Sequence, residues 1–278
     1  MGLKKYFKRF IDYILFEHKP KIVNVSVNEK NDYNDFKGKI VIVTGGSDGI
    51  GFEIANKFSK LNANVIITGR NEEKLLKSSK KINCDYFVND IRNLETQDEM
   101  LKKIIDKYGK IDILVNNAGI SKHEKDFFDV TPEGFDDQFE INLRGAYFIT
   151  QKVIKQALSN NNALNVIFIS SERGSQSDYL PYGLTKNAMN CLVEGLAARF
   201  IKDNIRINAI APGVTASNIF KVDKTGDLGT NNYFSGRFFI PEEVAEIVAF
   251  ICSDSAKCIS GEIIHTNNGN HLNTWFKQ

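Results

Sequence analysis

Tyr182 and Lys186 stand four residues apart in the run Tyr182-Gly-Leu-Thr-Lys186, and a Gly-rich turn, Thr44-Gly-Gly-Ser-Asp-Gly-Ile-Gly51, lies far upstream. Residues at this spacing share one face of a helix, so an ammonium sits beside a phenol. A phenol with pKa of about 10 is a poor proton donor or acceptor at neutral pH until a nearby cation favours its phenolate. Gly45, Gly49 and Gly51 let the backbone turn sharply, approach a pyrophosphate and pack a helix close to the preceding strand. The N-terminus of that helix adds N–H donors and positive potential, which suits Ser47, Asp48 and Ile50 to cofactor contact as well. A nucleotide site joined to an activated phenol is equipment for moving a hydride and a proton together. Each motif alone is weak. Tyr-x-x-x-Lys is common on helix surfaces, and glycines in a tight turn often serve geometry only.

The elements that must position these groups alternate along the chain. Apolar β-branched runs at Ile40–Val43, Val65–Thr68, Tyr86–Val88, Ile111–Val115, Asn165–Ile169, Ile205–Ile210 and Glu262–His265 read as strands. Between them, helical patterns run through Ile54–Phe58, Glu72–Ile82, Glu95–Tyr108, a long region Pro132–Ser159, and Tyr182–Lys202. Pro241 opens a last helix through Phe250. Continuous apolar strands alternating with helices imply a parallel sheet covered on both faces. The expected fold is α/β: a doubly wound Rossmann fold with a mainly parallel seven-stranded sheet and helices on both faces. Ligands in such sheets bind beyond the carboxyl ends of the strands, and the Gly turn, Asp90, Asn116 to Gly119, Ser171 and Pro212-Gly213 all fall there.

The chain resembles the short-chain dehydrogenase/reductase family in its compact, single-domain branch. The matching pieces are the Gly turn, Asp90, Asn116-Asn-Ala-Gly119, Asn142, Ser171, Tyr182-x-x-x-Lys186 and Pro212-Gly213, in the family's order over roughly Lys37 to Leu272. The resemblance implies four catalytic residues. Tyr182 would be general acid in reduction and general base in oxidation. Lys186 would lower the Tyr182 pKa and bond the nicotinamide ribose. Ser171 would donate to the substrate oxygen. Asn142 would hold a water that relays protons from Lys186. Ser170 competes with Ser171, because both end one strand and point to opposite faces. The register Ser171-Glu-Arg-Gly174 fits the family's serine. On the cofactor side the resemblance implies contacts from Asp90 and Ile91 near the adenine, with helix capping as the alternative for Asp90. Asn117, Ala118 and Gly119 would shape the adenosine side, and Pro212, Gly213, Thr215 and Ser217 the nicotinamide side.

Cofactor choice rests on the end of the second strand. An acidic residue there favours NAD; here Gly69 is followed by Arg70, whose guanidinium suits a 2′-phosphate. NADP is therefore favoured over NAD, against the presence of Asp48 where many NADP-binding relatives carry Arg or Lys. The substrate would be a carbonyl or secondary alcohol, with a 3-oxoacyl thioester and a sugar or polysaccharide precursor as open candidates. The alternative is a non-catalytic nucleotide-binding scaffold or redox sensor, against which the intact Asn142, Ser171, Tyr182 and Lys186 set speaks.

Composition bounds the partners. The 278 residues, 42% of them hydrophobic, carry a formal net charge of +2, which gives no argument for nucleic acid. Cys84, Cys191, Cys252 and Cys258 are scattered, reading as reduced thiols of a cytoplasmic protein. The four histidines show no metal-ligand spacing, and His265 falls in the last strand, which in the family often contributes to subunit contact. A homodimer or homotetramer is expected. Two domains are read: an extension over residues 1–37 and a dehydrogenase domain over 38–278. Leu3, Phe7, Phe10, Ile11 and Ile14 among Lys4, Lys5, Lys8 and Arg9 give the extension an amphipathic basic helix. Packing on its own domain or a sister subunit is favoured over contact with an anionic membrane surface. Val23–Val27 reads as a short strand, Asn28–Lys37 as a linker, and Val222–Arg237 as a lid over the substrate.

Overall fold

In the computed structural model the described residues are 36–216, 224–231, 233 and 235–272. The amphipathic helix and short strand expected in the extension, and Ser217, lie outside them, and the lid stretch is described only in part. Seven strands form one sheet in the order β3-β2-β1-β4-β5-β6-β7: β1 Ile40–Thr44, β2 Asn64–Gly69, β3 Asp85–Val88, β4 Ile113–Asn116, β5 Leu164–Ile169, β6 Ile205–Pro212 and β7 Ile263–Thr266. Every neighbouring pair is parallel. The chain starts at the centre, winds to β3, then crosses back past β1 to β4. This reversal between β1 and β4 makes the crevice at their carboxyl ends.

The sheet has hydrophobic cores on both faces. One gathers Ile42, Leu114, Val166 and Phe168 with Ile104, Ile149 and Val193 from the helices. The other gathers Val41, Val43, Ile67 and Val115 with Ile54, Phe58 and Val248. Alternate residues of one strand thus serve opposite layers, as the pleat requires. Phe36, read from sequence as part of a linker, belongs to the second core: it is buried, packs edge-on to Phe58 at 5.1 Å and donates its N–H to Leu61 O at 2.9 Å. An isolated apolar residue in a polar, charged stretch carries no periodicity, so the sequence pattern does not expose it.

The helices are α1 Gly49–Lys60, α2 Glu72–Ile82, α3 Leu94–Tyr108, α4 Pro132–Phe139, α5 Ala146–Ser159, α6 Pro181–Phe200 and α7 Pro241–Cys252. Short polar side chains start several of them. Asp48 caps α1, Asn71 caps α2, Asn93 caps α3 and Thr131 caps α4. The helical run expected over Pro132–Ser159 is interrupted by a π-turn at Glu140–Gly145. Such a bulge leaves the apolar spacing nearly intact, which is why the pattern alone reads as one helix. Among the described residues no helix is long and apolar enough to cross a membrane.

Candidate active site

A cleft of about 680 Å³ opens at the carboxyl ends of β1, β4, β5 and β6. One end holds the Gly turn. Thr44 Oγ1 accepts from the N–H groups of Asn117 and Ala118 at 3.0 and 3.1 Å, and Asn117 Nδ2 donates to Thr44 O and Gly45 O. These bonds fasten the turn after β1 to the loop after β4. The approach leaves no room for side chains. Gly45 has φ +65°, and a Cβ there would lie 3.0 Å from Ala118 Cα; a Cβ on Gly51 would lie 2.3 Å from Asn117 Nδ2. Gly45, Asp48, Gly49 and Ile50 line the cleft, as do Asn117, Ala118 and Gly119. Ser47 and Gly51 stand behind it, the first accepting from Ser78 Oγ at 2.8 Å through its carbonyl.

Exposed Arg70 lines the same end, as expected, together with Lys74, which sequence reading passed over. Lys74 lies on the first turn of α2 and pairs with Asp48 at 3.6 Å. Asp48 also accepts from Gly49 N at 2.8 Å as the cap of α1. The acidic residue that argued against a 2′-phosphate is thus offset by a cation four residues beyond Arg70. Lys74 falls on a polar helical turn, and only the folding of α2 beside the Gly turn brings it to the cleft.

Asp90 and Ile91 are not among the cleft-lining residues. Arg92 grips the Asp90 carboxylate through Nε at 3.1 Å, Nη2 at 2.7 Å and its backbone N–H at 3.0 Å, and this holds the Asp90 carboxyl below its ordinary range. Asn93, and not Asp90, is the cap of α3. Ile91 is buried against Gly145, where an added Cβ would meet its side chain at 2.7 Å.

At the other end stand Ser171, Tyr182 and Lys186, all lining the cleft. Pro181 opens α6, so Tyr182 sits in its first turn and Lys186 one turn on. Lys186 Nζ lies 5.7 Å from the Tyr182 ring centroid and donates to Ile169 O at 2.7 Å. Burial pushes the Lys186 ammonium down to about 8. Burial pushes the Tyr182 phenol up, opposed by a hydrogen bond with Ser171 and by the Arg173 cation. Desolvation thus outweighs the lowering of the phenol by Ser171 and Arg173, and the lowering by Lys186 expected from sequence is not among the causes of its shift.

The two serines separate cleanly. Ser170 is buried and donates to Asn190 Oδ1 at 2.6 Å, while Ser171 Oγ faces Tyr182 and accepts from Arg173 N at 3.3 Å. Asn142 sits in the π-turn, fully buried and outside the cleft lining. Its amide accepts from Ile120 N at 2.8 Å and donates to Ile120 O at 2.9 Å and to Thr185 Oγ1 at 3.2 Å. Asn142 thereby clamps the loop after β4 to α6. It also lies close to Lys186: a Cβ on Gly119 would be 3.3 Å from Asn142 Oδ1 and 3.7 Å from Lys186 Nζ.

Pro212, Gly213 and Thr215 form the far wall, Thr215 donating to Gly213 O at 2.9 Å. Glu172 and Arg173 also line the cleft and were not singled out from sequence, although they stand between the two halves of the serine motif. Glu172 accepts from Asn267 and Asn270 at 3.1 and 2.8 Å, tying the turn after β5 to the chain after β7. His265 stacks on His271 with centroids 3.7 Å apart and its Nε2 lies 2.7 Å from Ser175 Oγ, so it braces the same turn.

Lys186 gives a pH signature of this burial. Its folded pKa of about 8 is below the 10.5 of an exposed lysine, so between those values the unfolded chain binds the extra proton. The cost of the buried charge is constant below that window, and stability rises with pH across it. Urea midpoints of the wild type should therefore gain on those of Lys186→Met between about pH 7.5 and about pH 10. Parallel pH profiles would mean that Lys186 is not desolvated as described.

Comparison with known proteins identifies relatives over most of the chain. A family model described as "Enoyl-(Acyl carrier protein) reductase" matches residues 45–271. The 3-oxoacyl-[acyl-carrier-protein] reductase of Rickettsia felis is 34% identical over 242 residues, covering 84% of this chain and 98% of that protein. Among solved structures, the 3-ketoacyl-(acyl-carrier-protein) reductase of Brucella melitensis complexed with NADH superimposes with a TM-score of 0.79 at 27% identity, covering 85% of this chain and 100% of the other. A single-residue variant of the actinorhodin polyketide ketoreductase with NADPH gives a TM-score of 0.77 at 25% identity, over 84% and 97% of the two chains. With the family model spanning the Gly turn through β7, and relatives matched over nearly their whole length, the chain belongs to the short-chain dehydrogenase/reductase family.

Proposed function

We propose that the protein is an NADP(H)-preferring oxidoreductase that interconverts a carbonyl and a secondary alcohol, with Tyr182 as the proton donor or acceptor. The observation that carries this reading is one cleft with the Gly turn, Arg70 and Lys74 at one end and Ser171, Tyr182 and Lys186 at the other.

The fit of a dinucleotide rests on three features. The cleft volume of about 680 Å³ is in the range of cofactor sites. The Gly turn is stripped of side chains where a Cβ would foul Ala118 and Asn117, and it leads into the N-terminus of α1, where a pyrophosphate is stabilised. Arg70 and Lys74 supply cations for a 2′-phosphate. The relative from Brucella melitensis is described with NADH and the actinorhodin ketoreductase with NADPH, which supports a nicotinamide dinucleotide without choosing between the two. When bound, the nicotinamide supplies or takes up the hydride.

The chain's own residues handle the proton and the developing charge. Ser171 Oγ and the Tyr182 hydroxyl converge on one point, where a substrate oxygen accepts from both. Burial keeps Tyr182 protonated, the form that reduction needs, and the proton passes from the phenol to the substrate oxygen as negative charge grows there. Lys186 stabilises the resulting phenolate by its charge, then returns a proton to it and is itself reprotonated from solvent. Asn142 fixes the positions of Ile120 and α6 and so keeps Lys186 and Tyr182 in register; this makes it a positioning residue.

Loss of NADPH absorbance with a panel of 3-oxoacyl thioesters, short oxo acids, keto-sugars and simple ketones tests the reading; no carbonyl-dependent oxidation by cofactor-bound protein would overturn it. Removing the Arg70 side chain should weaken NADPH binding by about 10-fold while leaving NADH binding nearly unchanged, as expected for one charge-assisted contact to phosphate. Titration by fluorescence measures both constants, and equal weakening would remove the case for NADP.

A further inference from the structure

Arg173 is a charged group of the reacting end with no part in the proton transfer. It lines the cleft two residues after Ser171, and its backbone N–H donates to Ser171 Oγ at 3.3 Å. Its guanidinium carbon lies 6.0 Å from the Tyr182 ring centroid. The side chain is anchored from one side only. Nη2 meets Asp178 Oδ1 at 2.7 Å and Oδ2 at 2.5 Å, leaving the Nε and Nη1 donors outside the pair. The pair is also asymmetric: the Asp178 side chain is 8% exposed and that of Arg173 is 40% exposed. The carboxylate is the buried anchor, and the cation is presented to the cleft.

Asp178 is placed by the same turn that places Tyr182. Its Oδ1 accepts from Leu180 N at 3.0 Å at the start of α6, and its carboxylate packs onto Gly183, the residue after Tyr182, where a Cβ would lie 1.8 Å from Oδ2. The guanidinium and the phenol are therefore held in fixed relation through the first turn of one helix. Glu172, the neighbouring acidic residue of the cleft, is turned onto Asn267 and Asn270 and leaves Arg173 unopposed on that side.

We propose that Arg173 is a substrate-recognition residue, and that the substrate bears a carboxylate or equivalent anionic oxygen group one or two carbons from the reacting carbonyl. This rests on the oxidoreductase reading of the same cleft and narrows its substrate to oxo acids and the corresponding hydroxy acids. A carbonyl oxygen held by Ser171 and Tyr182 leaves its near neighbours within reach of the guanidinium, and a charge-assisted hydrogen bond there fixes the carbonyl face as well as affinity.

Calorimetric binding of a short 3-oxo acid and of its methyl ester to NADP⁺-loaded full-length protein tests the proposal without requiring turnover. The acid should bind about 10-fold tighter than the ester, as expected for one hydrogen bond to a charged group. Arg173→Ala should remove the difference and Arg173→Lys should keep part of it. Because Arg173→Ala leaves the buried Asp178 unpaired, the double variant Arg173→Ala/Asp178→Asn serves as a second test and should also show no preference. An acid that binds no better than its ester in the wild type, or a preference that survives in both Arg173→Ala backgrounds, overturns the proposal. Reduction of the 3-oxo acid or of its methyl ester by the NADPH-loaded wild type reports separately on the oxidoreductase reading.

Discussion

Tyr182→Phe should lose about 10³-fold in kcat/KM for carbonyl reduction while binding NADPH as tightly as the wild type. The substitution removes one hydroxyl from a ring whose packing it does not otherwise disturb. Lys186 keeps its bond to Ile169 O, Ser171 keeps its bond from Arg173 N, and the Gly turn at the other end of the cleft is untouched. What disappears is the phenol that hydrogen-bonds Ser171 at the reacting end of the cleft. Tyr179, three residues earlier, is exposed and has Gly183 in place of a cation one turn on, so it offers no substitute. Steady-state rates beside fluorescence titration of NADPH separate the two effects. Near-normal turnover in the variant would remove Tyr182 from the chemistry, and loss of NADPH binding would recast it as a cofactor contact.

Gly51→Ala should produce the second large effect, this time on binding. A Cβ at Gly51 would stand 2.5 Å from Gly45 O and 2.3 Å from Asn117 Nδ2. Asn117 Nδ2 is the group that donates to Thr44 O and Gly45 O, and Gly45 O is backbone, so neither neighbour can move without loosening the turn. Overpacking of this kind costs about 1–3 kcal/mol of stability. The greater loss falls on the nucleotide, because the turn and the first N–H groups of α1 are its pyrophosphate cradle in the proposed scheme. NADPH affinity should drop by about 100-fold or more, a larger change than Arg70→Ala causes, and NADH affinity should fall with it. A variant with a lowered melting temperature and intact affinity for both dinucleotides would show that the close packing serves the fold alone.

How much of this was legible in the sequence depends on what kind of signal each feature carries. Strands β1, β2 and β5 are short apolar runs bounded by polar residues, and periodicity finds them within a residue or two. Helix α2 is found with its full extent because Asn71 caps it and the αL residue Asn83 ends it. The choice of Ser171 over Ser170 followed from the family register together with alternation along a strand, and the buried bond from Ser170 to Asn190 is the physical counterpart of that alternation.

Other features leave no local trace. The π-turn around Asn142 inserts one residue into a run whose apolar spacing still resembles a helix. Lys74 and Arg173 reach the cleft only because α2 and the turn after β5 fold beside it, and a surface lysine or arginine looks the same in sequence wherever it ends up. Asp90 fits a sequence motif, but whether its carboxylate faces a ligand or Arg92 depends on a side-chain partner two residues away. The directions of the Tyr182 and Lys186 shifts were also out of reach, since spacing reveals the partner charge and burial decides which effect wins.

The most direct measurement is isotopic. NADPH carrying deuterium at both C4 positions of the nicotinamide is incubated with the full-length protein and a carbonyl from the panel, and the product alcohol is examined by mass spectrometry. The proposed reaction requires an alcohol heavier by one deuterium at the former carbonyl carbon, formed by the wild type and absent with Tyr182→Phe. An alcohol without the label, or no alcohol from any carbonyl while NADPH is bound, would contradict it.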